Sequence, residues 1–235
     1  MKLLAVDSAE KGCSLALMED GAPLAEFFFH SRATHAESLM EGIEILFARA
    51  GLSPGEVDGF VVSRGPGSFT GLRIGISAVK GMAFALSKPV AGVSSLDGLA
   101  FQAAFFPGLV FPMMDARRGE VYCARYRFCD GRLREKGRET AVTPMEALGQ
   151  LETLGENVLF MGSGALVHGE VIKRRLGKTA CFCPGFQSRI SAPALARRVF
   201  DDPSILSSDP SALVPVYLRR SDAEINYERH PHRFN

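Results

Sequence analysis

Three glycines, Gly65, Gly67 and Gly71, follow the apolar run Gly59–Ser63 and lead into a helix-like pattern. Glycine-rich turns between a strand and a helix are how phosphate cradles are built, because backbone N–H groups then face the anion. The stricter nucleotide signatures are missing. A Walker loop needs a lysine for the phosphates and a hydroxyl for magnesium after its last glycine, but Leu72 and Arg73 stand there. The glycine spacing of two and four residues also misses the dinucleotide fingerprint. What remains is a set of free N–H groups at a helix start, which favour an anion by about 0.3–1 kcal/mol. Gly65, Gly67 and Ser68 are therefore weak anion-binding candidates. The structural alternative is a sharp Gly65-Pro66-Gly67 turn with Ser68 capping the helix.

Other reactive side chains form no constellation. His30, His35, His168, His230 and His232 include no pair spaced four apart on a helix, so no metal site is expected. The five cysteines, Cys13, Cys123, Cys129, Cys181 and Cys183, are odd in number and lack zinc-site spacing, which reads as reduced thiols. No Gly-x-Ser-x-Gly elbow is present, and no catalytic residue is assigned. Gly162–Ala165 is a strand-end turn of the kind where α/β proteins bind ligands. Asp115, Arg117, Arg118 and Glu120 share a charged corner, which is either a self-satisfied turn or a partner-facing patch.

The elements that would position these residues repeat. Three strands open the chain, followed by a helix over Thr34–Ala50 with a capping box at Thr34 and Glu37. The strand Gly59–Ser63, a helix over Phe69–Leu86, a fifth strand and a third helical segment follow. From about Leu109 a similar β-β-β-α-β-α order begins again, with a last clear helix over Ala192–Phe200. Two α/β lobes are expected, at 1–108 and 109–215, with a tail over 216–235.

The Phe69–Leu86 helix carries two apolar faces. Gly71, Gly75, Ala78 and Met82 form a small-residue face, and Leu72, Ile76, Val79, Ala83 and Leu86 a larger one. Such a helix must be buried on two sides. One side belongs to its own sheet; the other calls for the preceding helix or another chain. Gly71 and Gly75 would let that partner's backbone come close.

Bulk properties fit a globular protein. Of 235 residues, 46% are hydrophobic and 23% charged, and the net charge of +1 gives no strong general grip on nucleic acid or membrane. No signal-peptide pattern opens the chain, and no apolar run approaches the roughly 18–20 residues of a membrane span. The expected location is the cytoplasm.

Several stretches together resemble the TsaB (YeaZ) family: "LLAVDSA" at Leu3–Ala9, "THAESLM" at Thr34–Met40, and the long block Ser63–Leu86. "VSSLDGLA" at Val93–Ala100, "MDARRGEVY" at Met114–Tyr122 and "PVYLRRSDAE" at Pro215–Glu224 follow in the family's order. The resemblance implies a two-lobed fold of the actin-like ATPase type. It also implies membership in the bacterial machinery that places threonylcarbamoyladenosine on tRNA, next to the anticodon. There TsaD is the transferase, TsaB its non-catalytic partner, and TsaE a small ATPase that joins them.

Transferases of the TsaD type carry His-x-x-x-His after the fifth strand as metal ligands. By that comparison the two positions fall on Ser95 and Leu99, a poor ligand and none. Ala9 likewise stands where a phosphate-loop glycine is usual. A scaffold subunit with no cofactor follows. Its expected interface comprises Leu39, Ile43 and Leu46 on the first helix and Gly71, Leu72, Gly75, Ile76 and Val79 on the second. Alone it is expected to homodimerise through that face, with tRNA as at most an auxiliary contact and no membrane. Two alternatives stay open: a nucleotide-dependent phosphotransferase of the same fold, and a metal-dependent peptidase-like enzyme.

Overall fold

A computed structural model of the chain describes residues 1–30 and 35–219. The segment Lys2–Asp7 forms β1, in the middle of a five-stranded sheet. A strand covered on both faces needs no polar alternation, which is why Leu3–Val6 is continuously apolar. β2 (Gly12–Glu19) lies antiparallel to it, and β3 (Ala22–His30) beyond. The two-residue turn Asp20-Gly21 that joins them has φ values of 48° and 86°, a geometry that an Asp-Gly pair favours. α1 (His35–Ala50) leads to β4 (Gly59–Gly65), parallel to β1, and α2 (Phe69–Leu86) leads to β5 (Val90–Ser94). The strand order is β3-β2-β1-β4-β5. The cap expected at Thr34 lies outside the described residues.

α3 (Ser95–Ala100) leads to a second sheet, whose first strand is β6 (Leu109–Arg117). β7 (Glu120–Cys123) and β8 (Tyr126–Cys129) pair antiparallel with β6 in one register: Met113 faces Cys123, and Val110 faces Tyr126. They are one strand interrupted at Ala124-Arg125. β9 (Arg132–Lys136) on β8 and β10 (Thr140–Val142) on β7 form the next interrupted strand. α4 (Pro144–Gly149), β11 (Val158–Met161), α5 (Ser163–Val167), α6 (Gly169–Leu176) and β12 (Ala180–Phe182) complete the lobe, β11 and β12 running parallel to β6. With each interrupted pair counted as one strand, the order of the first sheet recurs, as the doubled element pattern in the sequence implies.

α1 and α2 cover one face of the first sheet. α7 (Ala192–Asp201) covers the other together with α3, and its first N–H, from Ala192, is taken by Ser14 Oγ of β2 at 2.9 Å. The lobe boundary expected at residue 215 is thereby corrected: α7 and the chain after it belong with the first sheet. The amphipathic pattern of α7 announced a buried face without saying which sheet would bury it. One apolar cluster runs from the first sheet through Leu96, Leu99 and Leu195 to Val110, Met114 and Met161 on the inward face of the second. Leu109, Phe111 and Met113, alternate residues of β6, point the other way, onto α4 and α6.

The chain after α7 straps over the first lobe. Ser207 bridges to Val90, Val216 N–H donates to the Arg64 carbonyl at 2.7 Å, and the Tyr217 ring stacks on Phe69. Residues 216–219 are thus built into the fold rather than forming a separate tail; the rest of the expected tail lies outside the described residues.

Candidate functional site

The glycine-rich stretch sits where β4 ends and α2 begins, facing the turn between β1 and β2. Ser68 caps α2, accepting from Gly71 N–H at 3.3 Å. Its own N–H donates to the Ala9 carbonyl at 2.7 Å, so a donor that an incoming anion would need is already taken. Four glycines are explained by what lies against them. A Cβ on Gly67 would lie 2.6 Å from the Ala9 carbonyl oxygen, and one on Gly71 2.1 Å from that of Ser8. A Cβ on Gly75 would lie 2.3 Å from Ser8 Oγ. Gly65, with φ at 120°, would collide with the Val216 carbonyl of the C-terminal strap at 2.3 Å. The anion cradle expected at Gly65, Gly67 and Ser68 is corrected on this ground: the chain's own backbone fills it.

Acidic side chains gather at the same cleft. The Asp7 carboxyl, at the end of β1, is buried and accepts from Ala9 N–H at 3.1 Å. Burial pushes it up to about 7 against the pull of that hydrogen bond. Glu10 reaches across to the second lobe, where Ser163 Oγ donates to its carboxylate and in turn accepts from Asp115 N–H at 2.9 Å. Burial raises Glu10 too, opposed by Ser163 and reinforced by the negative charge of Asp115. Three carboxyl groups, those of Asp7, Glu10 and Asp115, therefore gather at the meeting point of the lobes. At the two metal-ligand positions, Ser95 and Leu99 are both fully buried, and Ser95 Oγ has no hydrogen-bond partner. Among the described residues no cluster of three or more His, Cys, Asp or Glu is arranged to hold a metal. The residues present fit neither ATP nor a catalytic metal. The five cysteines are free thiols, with Cys13 and Cys123 buried.

The eight residues expected to face a partner are placed in the core instead. Leu39, Ile43 and Leu46 of α1 and Gly71, Leu72, Gly75, Ile76 and Val79 of α2 are all buried against the first sheet. Their spacing announced a face that another backbone approaches closely, and that backbone is the β1–β2 turn of the same chain. The unpartnered surface is the opposite one. On α1, Met40 and Ile45 are each 41% exposed. On the adjacent α2, Gly81 and Ala85 are exposed, and Ile74, Ala78 and Met82 are half-buried. The sequence carried a signal for this surface: α2 has only Arg73 and Lys80 as charges, too few for a helix with one solvated face. Both are engaged by the strap, Arg73 Nε donating to the Tyr217 hydroxyl at 3.1 Å and Lys80 Nζ to the Ser211 and Leu213 carbonyls at 3.2 Å. At 18 residues α2 is also long and apolar enough to cross a membrane, which corrects the expectation that no segment is; its inner face is built into the sheet.

A doubled β-β-β-α-β-α chain meeting at a cleft defines the two-lobed α/β fold of the actin, Hsp70 and sugar-kinase group. Component A of (R)-2-hydroxyglutaryl-CoA dehydratase from Acidaminococcus fermentans shares this fold at a TM-score of 0.52 and 10% identity, over 87% of this chain and 99% of that one. Residues 30–227 match the family described as TsaD, tRNA N6-adenosine threonylcarbamoyltransferase. The tRNA threonylcarbamoyladenosine biosynthesis protein TsaB of Bacillus subtilis is 31% identical over 97% of this chain and 98% of its own length. A crystal structure of an uncharacterized protein with similarity to peptidase YeaZ from Pseudomonas aeruginosa superposes with a TM-score of 0.80 at 30% identity, covering 93% of this chain and 99% of that one. Within the TsaD family of the matching model, this chain belongs to the TsaB family.

Proposed function

We propose that this chain is the non-catalytic partner that binds and activates a TsaD-type transferase in threonylcarbamoyl modification of tRNA, working in the cytoplasm. The observation that carries the reading is the outward surface of α1 and α2. It is helical and poor in charge on α2, while the catalytic positions of the fold hold Ser95 and Leu99. A small-residue surface of this kind, with Ala78, Gly81 and Ala85 one turn apart, accepts the helices of a partner at short distance. In the absence of the transferase the same surface pairs with a second copy, since its exposed apolar side chains favour being covered. A TsaE-type ATPase joins the two.

The test is co-purification with a TsaD-type transferase, followed by tRNA-modification assays with and without this chain. Complex formation and dependence of the modification on this chain are expected. A transferase equally active alone would sink the reading, as would a chain that modifies tRNA without it.

A further inference from the structure

We infer that the β8–β9 hairpin is a docking surface for the phosphodiester backbone of RNA. The chain has a net charge of +1, yet the fourteen residues from Arg125 to Arg138 hold six cations and two carboxylates. The segment is +4 and the remainder of the chain −3. Two of the six cations mount the hairpin on the body. Arg127 grips the Glu156 carboxylate with both terminal nitrogens, and Lys136 lies 2.7 Å from Asp97 and 2.8 Å from Glu139. The other four, Arg125, Arg132, Arg134 and Arg138, make no side-chain hydrogen bond or ion pair among the described residues.

The geometry spreads them along one edge. The ladder passes from the Glu135–Arg127 pair to the Leu133–Phe128 pair, so Arg134 sits unopposed at a bulge and projects outward. Gly137 N–H donates to the Arg125 carbonyl at 2.8 Å, placing Arg125 and Arg138 on either side of the kink between β9 and β10. From Arg132 to Arg138 the chain spans up to about 20 Å, enough to meet several successive phosphates. Guanidinium forks suit phosphate oxygens in two-point contact.

The surroundings select among polyanions. No large apolar side chain is exposed between Phe105 and Met145, so the hairpin lacks the anchor of a protein interface or of membrane insertion. Its aromatic rings are turned inward: Tyr126 is fully buried and Phe128 packs edge-on against Phe101. With no platform for bases, contact is with the backbone and independent of sequence. The choice of RNA rests on the proposed role in tRNA modification; the charge distribution does not.

The test uses the full chain alone and an unmodified tRNA transcript, with fluorescence anisotropy read across a salt series. Replacing Arg132, Arg134 and Arg138 together by Ser is expected to weaken binding at least tenfold and to flatten the slope of log K against log salt by about 2–3. The triple Lys variant should keep the slope. The substituted side chains have no partner among the described residues, and an unchanged thermal melt checks that the fold is intact. Equal affinity and slope for the native chain and the Ser variant would overturn the inference, as would tighter binding to phosphatidylserine vesicles or polyglutamate than to tRNA. Capture of the transferase should be the same for the native chain and the Ser variant. If the native chain captures no transferase, the proposed function fails, while the anisotropy still decides the hairpin.

Discussion

The Ser8 hydroxyl donates to the Gly71 carbonyl at 2.8 Å, locking the β1–β2 turn onto the first turn of α2. This bond joins the two places where a working relative would hold phosphate, and it leaves no room between them.

A methyl group added at Gly71 must displace backbone. Gly71→Ala is expected to destabilise the fold by about 1–3 kcal/mol, the range for overpacking a filled site. Urea denaturation measures it; an unchanged midpoint would show that the turn is not seated as described. Gly75→Leu belongs to the same class, because its Cβ would meet Ser8 Oγ. Loss of partner binding in that variant would report on folding.

Gly81 offers the contrast. A Cβ there meets nothing within 4 Å, so Gly81→Ala should stabilise the isolated chain by about 0.5–1 kcal/mol through the helical preference of alanine. Ala78→Arg combined with Ala85→Arg should leave the melting temperature unchanged and weaken capture of the transferase more than tenfold. Undiminished capture would move the interface away from α2.

The buried carboxyl of Asp7 gives a pH signature. Its folded value of about 7 lies above the ordinary 3.8, so the native state holds a proton that the unfolded chain releases between those values. Stability should therefore fall as pH rises from about 4 to 7, by up to about 1.4 kcal/mol for each pH unit. Asp7→Asn removes this contribution, and its advantage over the native chain should grow from pH 5 to pH 8. A constant difference across that range would mean that Asp7 is charged throughout.

Calorimetry with Mg-ATP addresses the cleft. No micromolar binding to the isolated chain is expected, since Ser68 N–H is taken by the Ala9 carbonyl and the β1–β2 turn fills the glycine-rich loop. Saturable micromolar heat would return the chain to the phosphotransferases. Ser163→Ala removes the donor that Glu10 uses across the lobes and should cost about 1–3 kcal/mol of stability.

The architecture was legible where burial dictates composition. The unbroken apolar runs at Leu3–Val6 and Phe60–Val62 can only be central strands, and the doubled order followed from them. The break at Ala124-Arg125 was not legible, because strand pairing continues in register on both sides of it. The glycines of α2 were read as a place where a partner's backbone comes close; in the structure Ser8 of the β1–β2 turn lies against Gly71 and Gly75, because spacing along a helix gives the contact distance but not the neighbour. Of the outward surface, Ala78 and Met82 were already on the small-residue face read from the sequence, whereas Ile74 and Gly81 were not, since the core residues used up the apolar positions that stood out.

Lobes of this fold ordinarily hinge about whatever lies between them. Here Glu10 of one lobe is bonded to Ser163 of the other, and Arg219, at the end of the strap, lies 3.2 Å from Glu120. A chain stapled twice across its cleft has little shape to lose when it meets another protein. Its helices arrive already in the arrangement they keep, so association costs little ordering of the subunit itself. Whatever bending the assembly performs during a catalytic cycle must take place in the neighbour that leans on it.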